Sequence, residues 1–79
     1  SQTWSHIFPT LVQHEFTIMG NVSPYHIEIY DAVGRILRSI DSNASSTTVD
    51  ISTFPTGMYF VKAFSQTHKY MKVEKIVKQ

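Results

Sequence analysis

Turn signals recur about every ten residues along this chain, and the apolar runs between them are too short for helices. Gly20-Asn21, Ser23-Pro24, residues 31–34, 41–46, 52–57 and 65–68 supply the punctuation. The segment Tyr25-His26-Ile27-Glu28-Ile29-Tyr30-Asp31 alternates with period 2. Tyr25, Ile27 and Ile29 share one face, and His26, Glu28 and Tyr30 share the other. Such a pattern specifies a strand with one buried face. Six to seven strands of this kind, with no helical period, predict a small all-β antiparallel immunoglobulin-like sandwich.

Phe16-Thr17-Ile18-Met19 reads as an early strand, after an extended lead-in at Phe8-Pro9-Thr10-Leu11. Asp31-Ala32-Val33-Gly34 is a hairpin loop in which the Asp side chain caps the turn and Gly34 takes positive φ. The return strand, residues 35–40, breaks alternation at Ile36-Leu37, which predicts a bulge or a strand buried on both sides. Val49 and Ile51 face inward on the next strand. Pro55 and Gly57 shape a crossing, Phe54 plugs one end of the core, and Tyr59, Val61 and Ala63 point inward on the following strand. A final strand over residues 69–78 runs to the end of the chain given. Residues 1–7 are expected to be a linker or a remnant of recombinant expression, and residues 8–79 the module. Ser1 is not an initiator methionine, so a longer protein is expected around the domain.

With 79 residues the chain supports one core, and a core of this size yields at most about 3–5 kcal/mol of stability. Net charge is +1, which gives no global attraction to nucleic acid or anionic membrane. No apolar run reaches the ~20 residues of a spanning helix. There is no cysteine, so disulfides, thiolate metal sites and cysteine nucleophiles are excluded. Asp31, Asp41 and Asp50 sit in or near turns but too far apart in sequence for a calcium loop, and are expected to satisfy turn backbone. His6, His14, His26 and His68 lack metal-ligand spacing, and only His26 with Glu28 shares a face. Serines and threonines are plentiful, but no nucleophile elbow or phosphate loop accompanies them. Tyr25, Tyr30, Phe60, Phe64 and Tyr70 form either a stacking platform or core and cross-strand pairs, and the second reading is favoured. Lys62, Lys69, Lys72, Lys75 and Lys78 cluster late. They suit protection of a sheet edge, with partner docking as the competing role.

Read together, the motifs resemble one family. Phe8-Pro9, Ile29-Tyr30-Asp31-Ala32-Val33-Gly34-Arg35, Thr48-Val49-Asp50-Ile51-Ser52, the run from Phe54 to Lys62, and Lys75-Ile76-Val77-Lys78 follow, in order and spacing, the pattern of the type A C-terminal sorting domain of the type IX (Por) secretion system. Thr10-Leu11 departs from the Asn-Pro that usually follows the opening motif.

The resemblance implies a secretion signal at the end of a larger cargo protein from Bacteroidota-type bacteria. Its partners would be the type IX translocon, its outer-membrane shuttle protein and a sortase-like cysteine peptidase. The cargo would cross the periplasm and reach the outer membrane, cell surface or medium. On this reading the domain has no catalysis and no cofactor. Asp31, Gly34, Gly57 and Tyr59 would hold the turns and fold. Lys72, Lys75, Ile76, Val77, Lys78 and Gln79 would form the recognised surface. Long edges would also permit a homodimer or a swapped terminal strand. The alternative from another class is a β-sandwich adhesion or carbohydrate-binding module appended to a secreted enzyme.

Overall fold

The computed structural model describes residues 5–20, 25–67 and 69–79. These form eight strands: β1 (Ser5–Phe8), β2 (Leu11–Val12), β3 (Glu15–Gly20), β4 (Tyr25–Asp31), β5 (Ile36–Ser42), β6 (Ser46–Asp50), β7 (Gly57–Ser65) and β8 (Met71–Lys78). A three-stranded sheet, β1-β3-β6, packs on a five-stranded sheet, β2-β8-β7-β4-β5. All pairings are antiparallel except the short β2–β8 pair, which is parallel.

The core follows the alternation. Tyr25, Ile27 and Ile29 of β4 and Tyr59, Val61 and Ala63 of β7 meet Phe16 and Ile18 of β3, Val49 of β6 and Ile51. All are buried, as the period-2 reading requires. Phe54 is partly buried against this cluster, with its ring 5.2 Å from that of Tyr59.

Three expectations change. Residues 5–7, assigned to a linker, belong to β1. They pair with β3 from Ser5↔Gly20 to Ile7↔Ile18, and Ile7 enters the core. The sandwich therefore starts before Phe8. Strand count rises to eight because β1 and the two-residue β2 are separate elements. The break at Ile36-Leu37 is a bulge: Ile29 pairs with Arg38 and Tyr30 with Ile36, so Leu37 is the extra residue. The alternative, a strand buried on both sides, does not hold, because β5 is an edge strand with Ile36 and Leu37 exposed. Trp4, Asn21, Ser23, Pro24 and His68 lie outside the described residues.

Candidate functional site

The four predicted turn residues converge at one end of the sandwich. In the β4–β5 hairpin, the Gly34 N–H donates to the Asp31 carbonyl (3.0 Å), and Gly34 has φ +92°. The Asp31 carboxylate accepts from the N–H groups of Val33 (3.0 Å) and Arg35 (2.9 Å) and from Arg35 Nε (2.8 Å). The Asp-x-x-Gly-Arg order is thus a closed circuit: the acid satisfies the turn, the glycine permits it, and the arginine pairs the acid's second oxygen. At the crossing into β7, Gly57 has φ +153°. Two residues later the Tyr59 hydroxyl donates to the Pro55 carbonyl at 2.5 Å. A tyrosine reaching four residues back at the entry to a strand is the corner tie of immunoglobulin-type sandwiches. Register puts Asp31 beside Tyr59, and Tyr59 beside Ile76. Residues Asp31, Arg35, Gly57 and Tyr59 line a shallow cleft of about 260 Å³ between the two turns.

The Arg35 and Val33 N–H groups hold the Asp31 carboxyl below its ordinary pKa of 3.8, with the Arg35 backbone bond the largest cause. Asp50 is lowered likewise, chiefly by the Ser52 N–H. A depressed folded pKa means that the ionised acid favours the folded state. Its contribution is complete above the unfolded value and disappears as pH falls through the folded one. Stability measured by thermal melting should therefore fall as pH drops below the ordinary carboxyl value of 3.8. Asp31→Asn should show a shallower acid limb. Equal slopes for parent and variant would contradict the assignment.

The six residues expected to form a recognised surface divide between two faces and a covered end. Ile76 is fully buried and Lys78 only 7% exposed, both on the inner face. The Lys78 ammonium donates to the Gln79 carbonyl oxygen at 2.9 Å. Lys72 is half-buried on the same inner parity, whereas Lys75 and Val77 face outward. Val77 and Gln79 also give their N–H groups to the carbonyls of Thr10 and Val12, both at 2.8 Å. Ile76 and Lys78 are therefore fold residues in the folded domain, and β2 covers the terminal edge. Parity ties the two together, since Lys78 stands two residues from Ile76 and both must share a face, but which face is inner is set by the partner strands.

A second cluster was only partly anticipated. On the outer face, His26 Nδ1 meets Asp41 Oδ1 at 2.5 Å, and its Nε2 meets Ser39 Oγ at 2.7 Å. His26 Nε2 is also 3.6 Å from Glu28, which accepts from the Tyr30 hydroxyl at 2.5 Å. This bond to Glu28 is the main cause raising the Tyr30 phenol. Acid, imidazole and hydroxyl stand in the order of a nucleophile relay. Yet Ser39 projects from within strand β5, not from the strained strand-to-helix turn that exposes a nucleophile. The cluster clips β4 to β5. Its carboxylates come from neighbouring strands, so the sequence spacing of Glu28 and Asp41 gave no sign of convergence. Among the described residues no group of three potential ligands could hold a metal ion. Of the five aromatics, Tyr25 is core, Tyr30 pairs with Phe60 across strands, and Phe64 lies 5.1 Å from His26.

Fold and turn geometry together define an immunoglobulin-like β-sandwich module. Two solved structures share this architecture. One is a DUF3244 family protein from Bacteroides vulgatus, described as an immunoglobulin-like β-sandwich (TM-score 0.80, 17% identity, covering 96% of this chain and 85% of that one). The other is PorZ, a surface component of the type IX secretion system of Porphyromonas gingivalis (TM-score 0.74, 19% identity, covering 95% of this chain). The chain spans only 11% of that PorZ chain. No curated protein matches the sequence. Residues 6–79 match the secretion system C-terminal sorting domain, and the chain belongs to that family, the type IX (Por) sorting domains. Membership associates the domain with the secretion machinery and with export through the outer membrane to the cell surface or medium.

Proposed function

We propose that this domain is the address of a larger cargo, read in the folded state by the type IX translocon and its outer-membrane shuttle protein after periplasmic transit. A sortase-like cysteine peptidase then removes it as the cargo is fixed to the surface. The observation that carries the reading is the family match across 6–79, nearly the whole sandwich. Supporting it, Asp31, Gly34, Ile51, Tyr59, Val61 and Ile76 of the shared motifs go into turns and core, so that much of the family pattern specifies a shape. A shape can be read through backbone edges in cargoes whose surface side chains differ. The domain then acts as a substrate of the machinery and performs no chemistry itself.

The test is export. The full chain is fused behind a signal peptide and a fluorescent reporter in a type IX-competent bacterium and in an isogenic strain lacking the translocon. Surface or medium delivery in the first strain alone is expected. Periplasmic retention in both would remove the sorting reading.

A further inference from the structure

The outer edge of β8 is open where its neighbour stops. β2 pairs only with Val77 and Lys78. Because the N–H groups of Val77 and Gln79 point to β2, those of Met71, Val73 and Lys75 point the same way, outward from the sheet. The Ser65 N–H donating to the Tyr70 carbonyl fixes the opposite parity toward β7. Among the described residues no strand pairs with the outward groups of Met71, Val73 and Lys75.

The side chains along this edge are inverted relative to an ordinary sandwich strand. Met71 (52%) and Val73 (58%) are exposed, while Lys72 and Glu74 take the inner parity. Val77, Met58 and Leu11 continue the apolar surface on the same outer face, through the register Leu11↔Val77↔Met58. A one-residue register change would bury Met71 and Val73 but expel Ile76, so the exposure is a fixed consequence of the core. The other edge of this sheet is blunted: β5 carries the Leu37 bulge, and Arg38 reaches across to the Asp50 carbonyl at 2.7 Å. Only lysines protect β8, and they also select what can pair. Lys62, Lys72 and Lys75 surround the edge, with Glu74 the single acid on the strand. A second copy pairing β8 to β8 would oppose like charges, which disfavours it.

Resting on the sorting reading, we propose that the open length of β8, residues 71–75, is the docking edge. It takes an extended strand of a partner protein, in line with β2, that carries both acidic and apolar side chains at every second residue, on the outer face. Backbone groups of Met71, Val73 and Lys75 would form the ladder. Val73 and Val77 would supply apolar contact, and Lys62 and Lys75 would meet the acids.

Val73→Pro deletes an outward N–H without touching the β7 ladder, a position where an edge strand tolerates proline. In the reporter fusion its export is expected to fall about tenfold while its melting temperature stays within about 10 °C of the parent. Export within about twofold of a delivered parent would overturn the docking edge and leave the sorting reading intact, whereas failure of the parent would overturn that reading first. If Val73→Pro does not fold, the double variant Lys62→Glu/Lys75→Glu decides by the same criterion, since both side chains lie on the outer face. A photo-crosslinker at Val73 in secreting cells should capture another protein. Capture of a second copy of the domain alone would overturn the choice of partner.

Discussion

Removal of residues 75–79 is expected to leave the domain without a cooperative melting transition. The deletion takes Ile76 from the centre of the core, a loss of about 2–5 kcal/mol by analogy with large-to-small changes at buried sites. It also ends the register Tyr59↔Ile76 and Gly57↔Lys78, uncovering the corner tie. Finally it strips β2 of its one partner strand among the described residues, since the N–H groups of Val77 and Gln79 hold Thr10 and Val12. Val12 is itself fully buried. Against stability of about 3–5 kcal/mol for a sandwich this small, the sum exceeds what is available. Circular dichroism with heating is sufficient to check it. A sigmoidal transition near that of the parent would show that the strand end is dispensable. The practical consequence is that loss of export in such a truncation reports unfolding, and separating address from fold requires point changes on the outer edge.

Gly57→Val should lower the melting temperature by about 10–20 °C, from a cost of about 2–3 kcal/mol. The cause is conformational. A Cβ built on Gly57 meets nothing within 4 Å, so crowding is not involved, but φ of +153° is one that L side chains rarely adopt. Valine, branched at Cβ, is poorly suited to it. Relief requires the backbone to move, and movement at this point displaces Tyr59, whose hydroxyl is fixed on Pro55 and whose ring packs on Phe54. Gly57→Ala should show the same sign with a smaller shift. A valine variant as stable as the parent would mean that the turn has a second low-energy path. In the export assay, any defect of Gly57→Val is expected to scale with the unfolded fraction.

The central strands were legible because their alternation and their burial agree. Tyr25 to Asp31 and Gly57 to Ser65 have a clean period of 2, and their flanking turns carry glycine where positive φ is needed. Ser5 to Phe8 was missed for the opposite reason. Four residues beside a proline give little pattern, and their partner strand, Thr17 to Gly20, is reached only across the intervening residues 9–16. β2 offers only two residues in a parallel pair, below what periodicity can register. On β8 the apolar residues at 71, 73, 76 and 77 fit neither parity, so composition alone could not say which lysines face solvent. Only the partner strands decide that Ile76 is inside and Val73 outside. The turn residues were legible one by one, but their convergence was not, because Asp31 and Tyr59 meet through sheet register alone.

The insertion of β8 between β7 and β2 also bears on the order of assembly. β7 can meet β8 through a local hairpin, but Leu11↔Val77 closes a loop spanning almost the whole domain. Closing so long a loop costs chain entropy before any contact repays it. A chain threaded through a membrane with its N-terminal side leading would arrive with β2 still lacking its seat on β8. Completion would wait for the trailing strand, so the module matures late and as a unit. Recognition of the finished sheet would then also report that the whole domain had been delivered.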